Sequence, residues 1–153
     1  MPHSAEGRFL NEIHLLTGYL VLISNGLAGG FGALAWALRR PSAAFWYLLR
    51  VAQAIVVAQV TLGLVLLAQG LRPPDELHYL YGAGPLLVTL VSEGMRAGAA
   101  HSELAGVRDL DALGQDEQAD IGRRVLRREM GIMAVGCLLI VTLALRAVYT
   151  GAG

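Results

Sequence analysis

The stretch Asp75-Glu-Leu-His78-Tyr-Leu-Tyr-Gly82-Ala-Gly-Pro85-Leu-Leu-Val-Thr-Leu-Val-Ser-Glu93-Gly-Met-Arg96 decides how the rest of the chain is read. It opens on two acids, places His78 at the edge of an apolar run, and closes on Glu93 and Arg96. The run is of the length a bilayer core demands, roughly 20 residues. An imidazole entering hydrocarbon is costly unless something binds it, so His78 is a candidate for function. Four residues on, Gly82 leaves the same helix face bare. A flat ring can lie against such a patch. The spacing recurs at His14 and Gly18.

Three further apolar stretches accompany this one. Together they predict helices over about 12–38, 45–69, 77–99 and 129–149, joined by a cytoplasmic loop at 100–128. The chain has 153 residues, 55% of them hydrophobic, with a mean hydropathy of +0.53. A soluble bundle needs polar outer faces, and these segments have almost none. The expected fold is therefore all-α: a single transmembrane four-helix bundle, up-down-up-down. The first apolar run is too long for a secretory signal, and Glu6 and Glu12 precede it.

Charge narrows the function classes. The twelve basic residues are all arginine and balance twelve acids, with no basic stripe to suit nucleic acid. Arg39, Arg40 and Arg50 flank the first connection, and Arg108 with Arg123–Arg128 the third, whereas the second holds only Arg72 beside Asp75 and Glu76. The positive-inside rule then puts both termini outside, in the plasma membrane of a prokaryote. Trp36, Phe45, Trp46 and Tyr47 bracket the first turn as an interfacial belt. The lone Cys137 excludes an intrachain disulfide, and with it a thiol–disulfide relay of the four-helix membrane type unless a partner supplies the other thiols.

Within the spans, Gly26-Leu-Ala-Gly-Gly30 is a small-xxx-small pattern that suits close helix packing. Gln53, Gln59 and Thr61 suit bonds to neighbouring helices. Pro85 removes a backbone bond near Tyr81. Glu93 lies about 22 Å below His78 at helical rise, at the opposite interface, within reach of Arg96 at i+3. Asp109, Asp111, Asp116, Glu117 and Asp120, alternating with Leu110, Leu113 and Ile121, predict a short amphipathic surface helix before the last span.

Helices one and three both enter from outside, with His14 and His78 close to the boundary. They occupy one depth, diagonal to each other across the core. Two imidazoles so placed suit six-coordinate haem iron, with Gly18 and Gly82 making room for the ring and Gly63 at a similar level. Arg72, Arg146 and Arg8, at the same face, are candidates for the propionates, because guanidinium pairs bidentately with carboxylate. A zinc site wants three or four ligands; Glu12, Asp75 and Glu76 are near, but no compact His/Glu spacing is present.

A resemblance adds to this reading. Asn11-Glu-Ile-His14-Leu-Leu-Thr-Gly18, then Ala52-Gln53 through Gln59-Val-Thr-Leu-Gly63, then Leu77-His78, resembles one four-helix half of the haem A synthase family. The resemblance covers about Asn11 to Leu90. It implies that His14 and His78 ligate haem iron. The chain departs from the family pattern at Asn11, where a glutamate is expected, and at Leu15, where an arginine is. It also has four helices in place of eight. Methyl-oxidising catalysis is not expected to survive these changes.

The expectation is a small membrane protein binding haem, of b type, for electron transfer or haem handling. It would be surrounded by membrane lipid and could pair as a homodimer or join a larger membrane complex. The alternative is a cofactor-free accessory subunit of a respiratory-type complex, drawn from the 100–128 segment. A small transporter is the third reading, drawn from Glu93, Gln53 and Gln59.

Overall fold

A computed structural model describes residues 5–105, 107 and 112–151, with the side chains of 5 and 6 left aside. His3, Arg108, Asp109, Leu110 and Asp111 lie outside the described residues. Four helices make up the fold: α1 (Ala5–Ala37), α2 (Ala43–Ala68), α3 (Leu77–Leu104) and α4 (Gln115–Gly151). No strand occurs among the described residues.

α1, α2 and α4 are long and apolar enough to cross a membrane. α3 is long enough, but glycines, Pro85, tyrosines, His78 and Glu93 dilute its hydropathy, so the expectation of four spans holds by composition for three. The outward surface is dominated by side chains such as Leu16, Ile23, Leu27, Leu64, Leu87, Leu90 and Val91, each close to 60% exposed. A continuous apolar surface of that kind suits lipid rather than water.

The segment between α3 and α4 departs most from expectation. In place of a long loop with a separate surface helix, α3 runs on to Leu104 and α4 begins at Gln115. No proline interrupts 115–151, and the scattered glycines Gly122, Gly131 and Gly136 do not break a helix of this length. Asp116 and Glu117 favour its first turn through the helix dipole. Ile121 is buried, and Glu103 at the end of α3 pairs with Arg128 at 3.1 Å and Arg124 at 3.6 Å. Those pairs hold the polar start of α4 against α3.

α1 packs on both α2 and α4, and α3 packs on α4, while α2 and α3 scarcely touch. α1 and α3 therefore stand opposite each other across the bundle. The core is thin and built from small residues, with Ala28, Ala35, Ala52 and Cys137 around Phe45, Leu49, Met130 and Met133. Val21, Val56, Ile140 and Ala144 form a second layer. The close approach expected at Gly26 and Gly30 falls elsewhere, because both face open space. Gly29 meets Cys137 and Leu138, and Gly32 meets Phe45 so closely that no side chain fits. The bare stripe is real but turned by a residue or two around the helix.

At the first turn, Arg39 takes the left-handed conformation (φ 55°), and the N–H of Arg40 bonds to the carbonyl of Ala35 at 2.9 Å. This closes α1 as a glycine usually does. Pro41 then forbids continuation, and α2 restarts after Ser42.

Candidate bis-histidine site

α1 carries His14 in its third turn and α3 carries His78 in its first. The two helices start at different distances from their histidines, yet the imidazoles meet, with ring centroids 6.2 Å apart and planes inclined by 59°. Matched depth, inferred from the polar boundaries, is what the fold produces. The beginning of α1 lies beside the end of α2 here, and the beginning of α3 beside the end of α4.

Each ring is held differently. His78 Nδ1 lies 3.0 Å from the carbonyl oxygen of Ala147 on α4. A carbonyl only accepts, so Nδ1 carries the proton and Nε2 keeps its lone pair. A backbone carbonyl behind one ring nitrogen is the support commonly given to a metal-ligating histidine. His14 Nε2 lies 3.3 Å from Gln59 Nε2, and Gln59 Oε1 accepts from the Thr17 hydroxyl. The amide donates to Nε2, which leaves His14 Nδ1 as a protonated nitrogen, buried and without a partner among the described residues. A buried unpaired polar atom of this kind costs about 1–3 kcal/mol.

Glycines shape the walls. A Cβ at Gly63 would stand 3.2 Å from His14 Cε1, and one at Gly82 would stand 3.9 Å from His78 Nε2. Both positions are therefore beside the rings, as their spacing suggests. Gly18 is not: its bare face receives Gln59 Nε2 at 3.3 Å instead of the His14 ring. The difference from Gly82, which has the same spacing to His78, lies in the neighbour: the Gln59 amide reaches across from α2 and fills the space over Gly18. Gly151 is a wall the sequence did not disclose, with His78 Cε1 2.9 Å from where its Cβ would be. Ala147 was equally invisible, since a backbone carbonyl has no signature in residue type. Gln59 had one: it lies four before Gly63, on the same face.

The arginines are less concentrated. Arg146 lies over the Tyr81 ring at 5.9 Å, at this end of the bundle, and is exposed. Arg72 and Arg8 are exposed. His101 is exposed near the end of α3, far along that helix from His78.

The opposite end holds a second polar group. Glu93 accepts from Arg50 (2.6 Å), Gln53 (2.8 Å) and Arg96 (2.8 Å). Arg96 also approaches Glu129 at 3.6 Å and stacks over Trp46. The expected Glu93–Arg96 pair is present, and the cross-helix partners Arg50 and Gln53 join it. Surrounded by two guanidinium groups, this carboxylate is a structural tie between α2, α3 and α4, which are otherwise poorly joined on the α2–α3 side.

No group of three or more His, Cys, Asp or Glu side chains converges among the described residues. The donor set is two imidazoles, with no carboxylate joining them among the described residues. That falls short of zinc's usual three or four ligands and equals the axial pair of a six-coordinate haem. The His78 ring, oriented by the Ala147 carbonyl, and the second imidazole facing it therefore fit haem better than a closed metal site. No protein-family model matches the chain, and no similar protein or solved structure is found.

Proposed function

We propose that the protein is a small integral membrane haem protein in which His14 and His78 bind one iron, serving electron transfer or haem handling. The observation that carries this reading is the meeting of the two imidazoles, 6.2 Å apart, from opposite helices of the bundle. The motif resemblance to half of a haem A synthase supports it. The bundle would run up-down-up-down across a prokaryotic plasma membrane with α3 as the fourth span and both termini outside, the polarity drawn from the arginines at the first and third connections. Paired copies would rebuild eight helices.

In this reading the chain's residues orient and insulate. Ala147 fixes the tautomer of His78 and presents Nε2 inward. Gln59, itself held by Thr17, turns the His14 ring and must release Nε2 when that nitrogen binds. Gly82 and Gly63 leave open the space beside each ring. Arg146 and Arg72 are placed to take propionate carboxylates. The haem, of b type, would supply one-electron chemistry at iron whose potential depends on the axial nitrogens and on burial.

The test is a reduced-minus-oxidised optical spectrum of the purified protein, as isolated and after adding haemin. An α-band is expected; a spectrum without one in both preparations removes the proposal. A cofactor-free accessory subunit is the second reading, favoured by the exposed polar face of α4 over Asp116, Arg123 and Arg127. It requires a colourless chain that co-purifies with a respiratory assembly.

A further inference from the structure

We infer that the groove at the α1–α2 turn seats one anionic phospholipid. The groove is about 290 Å³ and is lined by Phe31, Leu34, Ala35, Leu38, Arg40, Pro41 and Ser42. Its chemistry is graded along its length. Phe31, Leu34 and Leu38 form an apolar floor about 10 Å long on α1 at helical rise. Arg40 and Ser42 close its far end. Trp36 and Tyr47, both exposed, stand within a few residues of the same turn in the sequence, and such aromatics sit at the headgroup level of a bilayer. The floor therefore runs into hydrocarbon while the polar end stays at the headgroups, as the two parts of one lipid would.

The polar end is complementary to a phosphate. Arg40 is exposed and, like Arg39 beside it, has no ion-pair partner among the described residues, but of the two only Arg40 lines the groove. Its placement is built in: the left-handed Arg39 and the Arg40 N–H bond to Ala35 turn the chain back over the α1 surface. Ser42 precedes α2 without using its hydroxyl as a cap, so the hydroxyl can bond a phosphate oxygen. α2 has no acid in its first turn to oppose an anion there. Basic pockets beside spanning helices are a recurrent means of holding anionic headgroups.

Native mass spectrometry of the detergent-solubilised full chain, titrated with phosphatidylglycerol or phosphatidylcholine, tests this independently of haem. One phosphatidylglycerol should be retained in preference, and Arg40→Gln should weaken it about fivefold, the contribution of one interfacial arginine. Arg39→Gln, which removes an adjacent charge outside the groove, should weaken it much less. Leu38→Trp, which fills the floor but keeps the charge, should displace the lipid, and excess inorganic phosphate should not. Equal retention of the two lipids, equal effects of the two arginine changes, a lipid unaffected by Leu38→Trp, or displacement by inorganic phosphate each overturns the inference. Helical circular dichroism identifies a variant that has not folded, and Leu38→Trp and Arg40→Gln then serve as alternates for each other.

Discussion

His14 and His78 are unequal partners, and replacing each should have a different signature. His78 is fixed by Ala147, so His78→Ala removes the better-oriented nitrogen. His14→Ala removes the ring that Gln59 shares. Either change should convert a bound six-coordinate haem to a five-coordinate or high-spin form that is lost more readily, read in the Soret and visible bands. His101→Ala should leave the spectrum alone; loss of haem in that variant with retention in His14→Ala would refute the assignment. Gly151→Ala is a finer probe. Its Cβ would lie 2.9 Å from His78 Cε1, against a ring tied to Ala147, so His78 must tilt. Weaker haem retention is expected with the helical content unchanged, and retention equal to that of the parent chain would show that the ring is not confined there.

At the scale of the element, the helices depend on where side chains are missing. Gly32 admits Phe45, the largest fully buried side chain of the core. Gly32→Ala should cost about 1–3 kcal/mol through overpacking, lowering the midpoint of thermal unfolding followed by circular dichroism in detergent; an unchanged midpoint would mean that α1 and α2 slide without penalty. Glu93 is the converse case, where a side chain joins helices that scarcely pack. Glu93→Gln leaves Arg50 and Arg96 facing each other without an anion between them. A loss of roughly 1–3 kcal/mol follows if the tie is structural, again seen as a lower midpoint. A Glu93→Gln chain as stable as its parent would favour the small-transporter reading of this carboxylate over the structural one.

For the whole molecule, polarity is the property to test. A reporter fused after Gly153 should read outside and one placed at Gly114 inside, if the arginines of the first and third connections set the orientation. The reverse result would carry both histidines to the cytoplasmic face without disturbing their mutual geometry.

Much of this architecture was present in residue order alone. Four helices follow from four apolar runs bounded by Arg39-Arg40-Pro41, by Gly70 through Pro74, and by the polar stretch after Ala99, because hydrocarbon admits a backbone only when its bonds close within the helix. The matched depth of His14 and His78 follows too, since a polar-to-apolar boundary is a depth marker in any membrane segment. What lies around the helix axis was less legible. The length of α4, the turn of the small-residue face from Gly26 and Gly30 to Gly29 and Gly32, and the exchange of Gly18 for Gln59 all depend on helix rotation and on which neighbour is packed where. Single-residue offsets of 100° separate facing from not facing in an α-helix, and an all-apolar helix gives no polar stripe to set that angle. Only packing decided it: α1 meeting both α2 and α4 turns Gly29 and Gly32 inward, and the approach of α4 brings the Ala147 carbonyl and Gly151 behind His78, where no pattern of residue types could have put them.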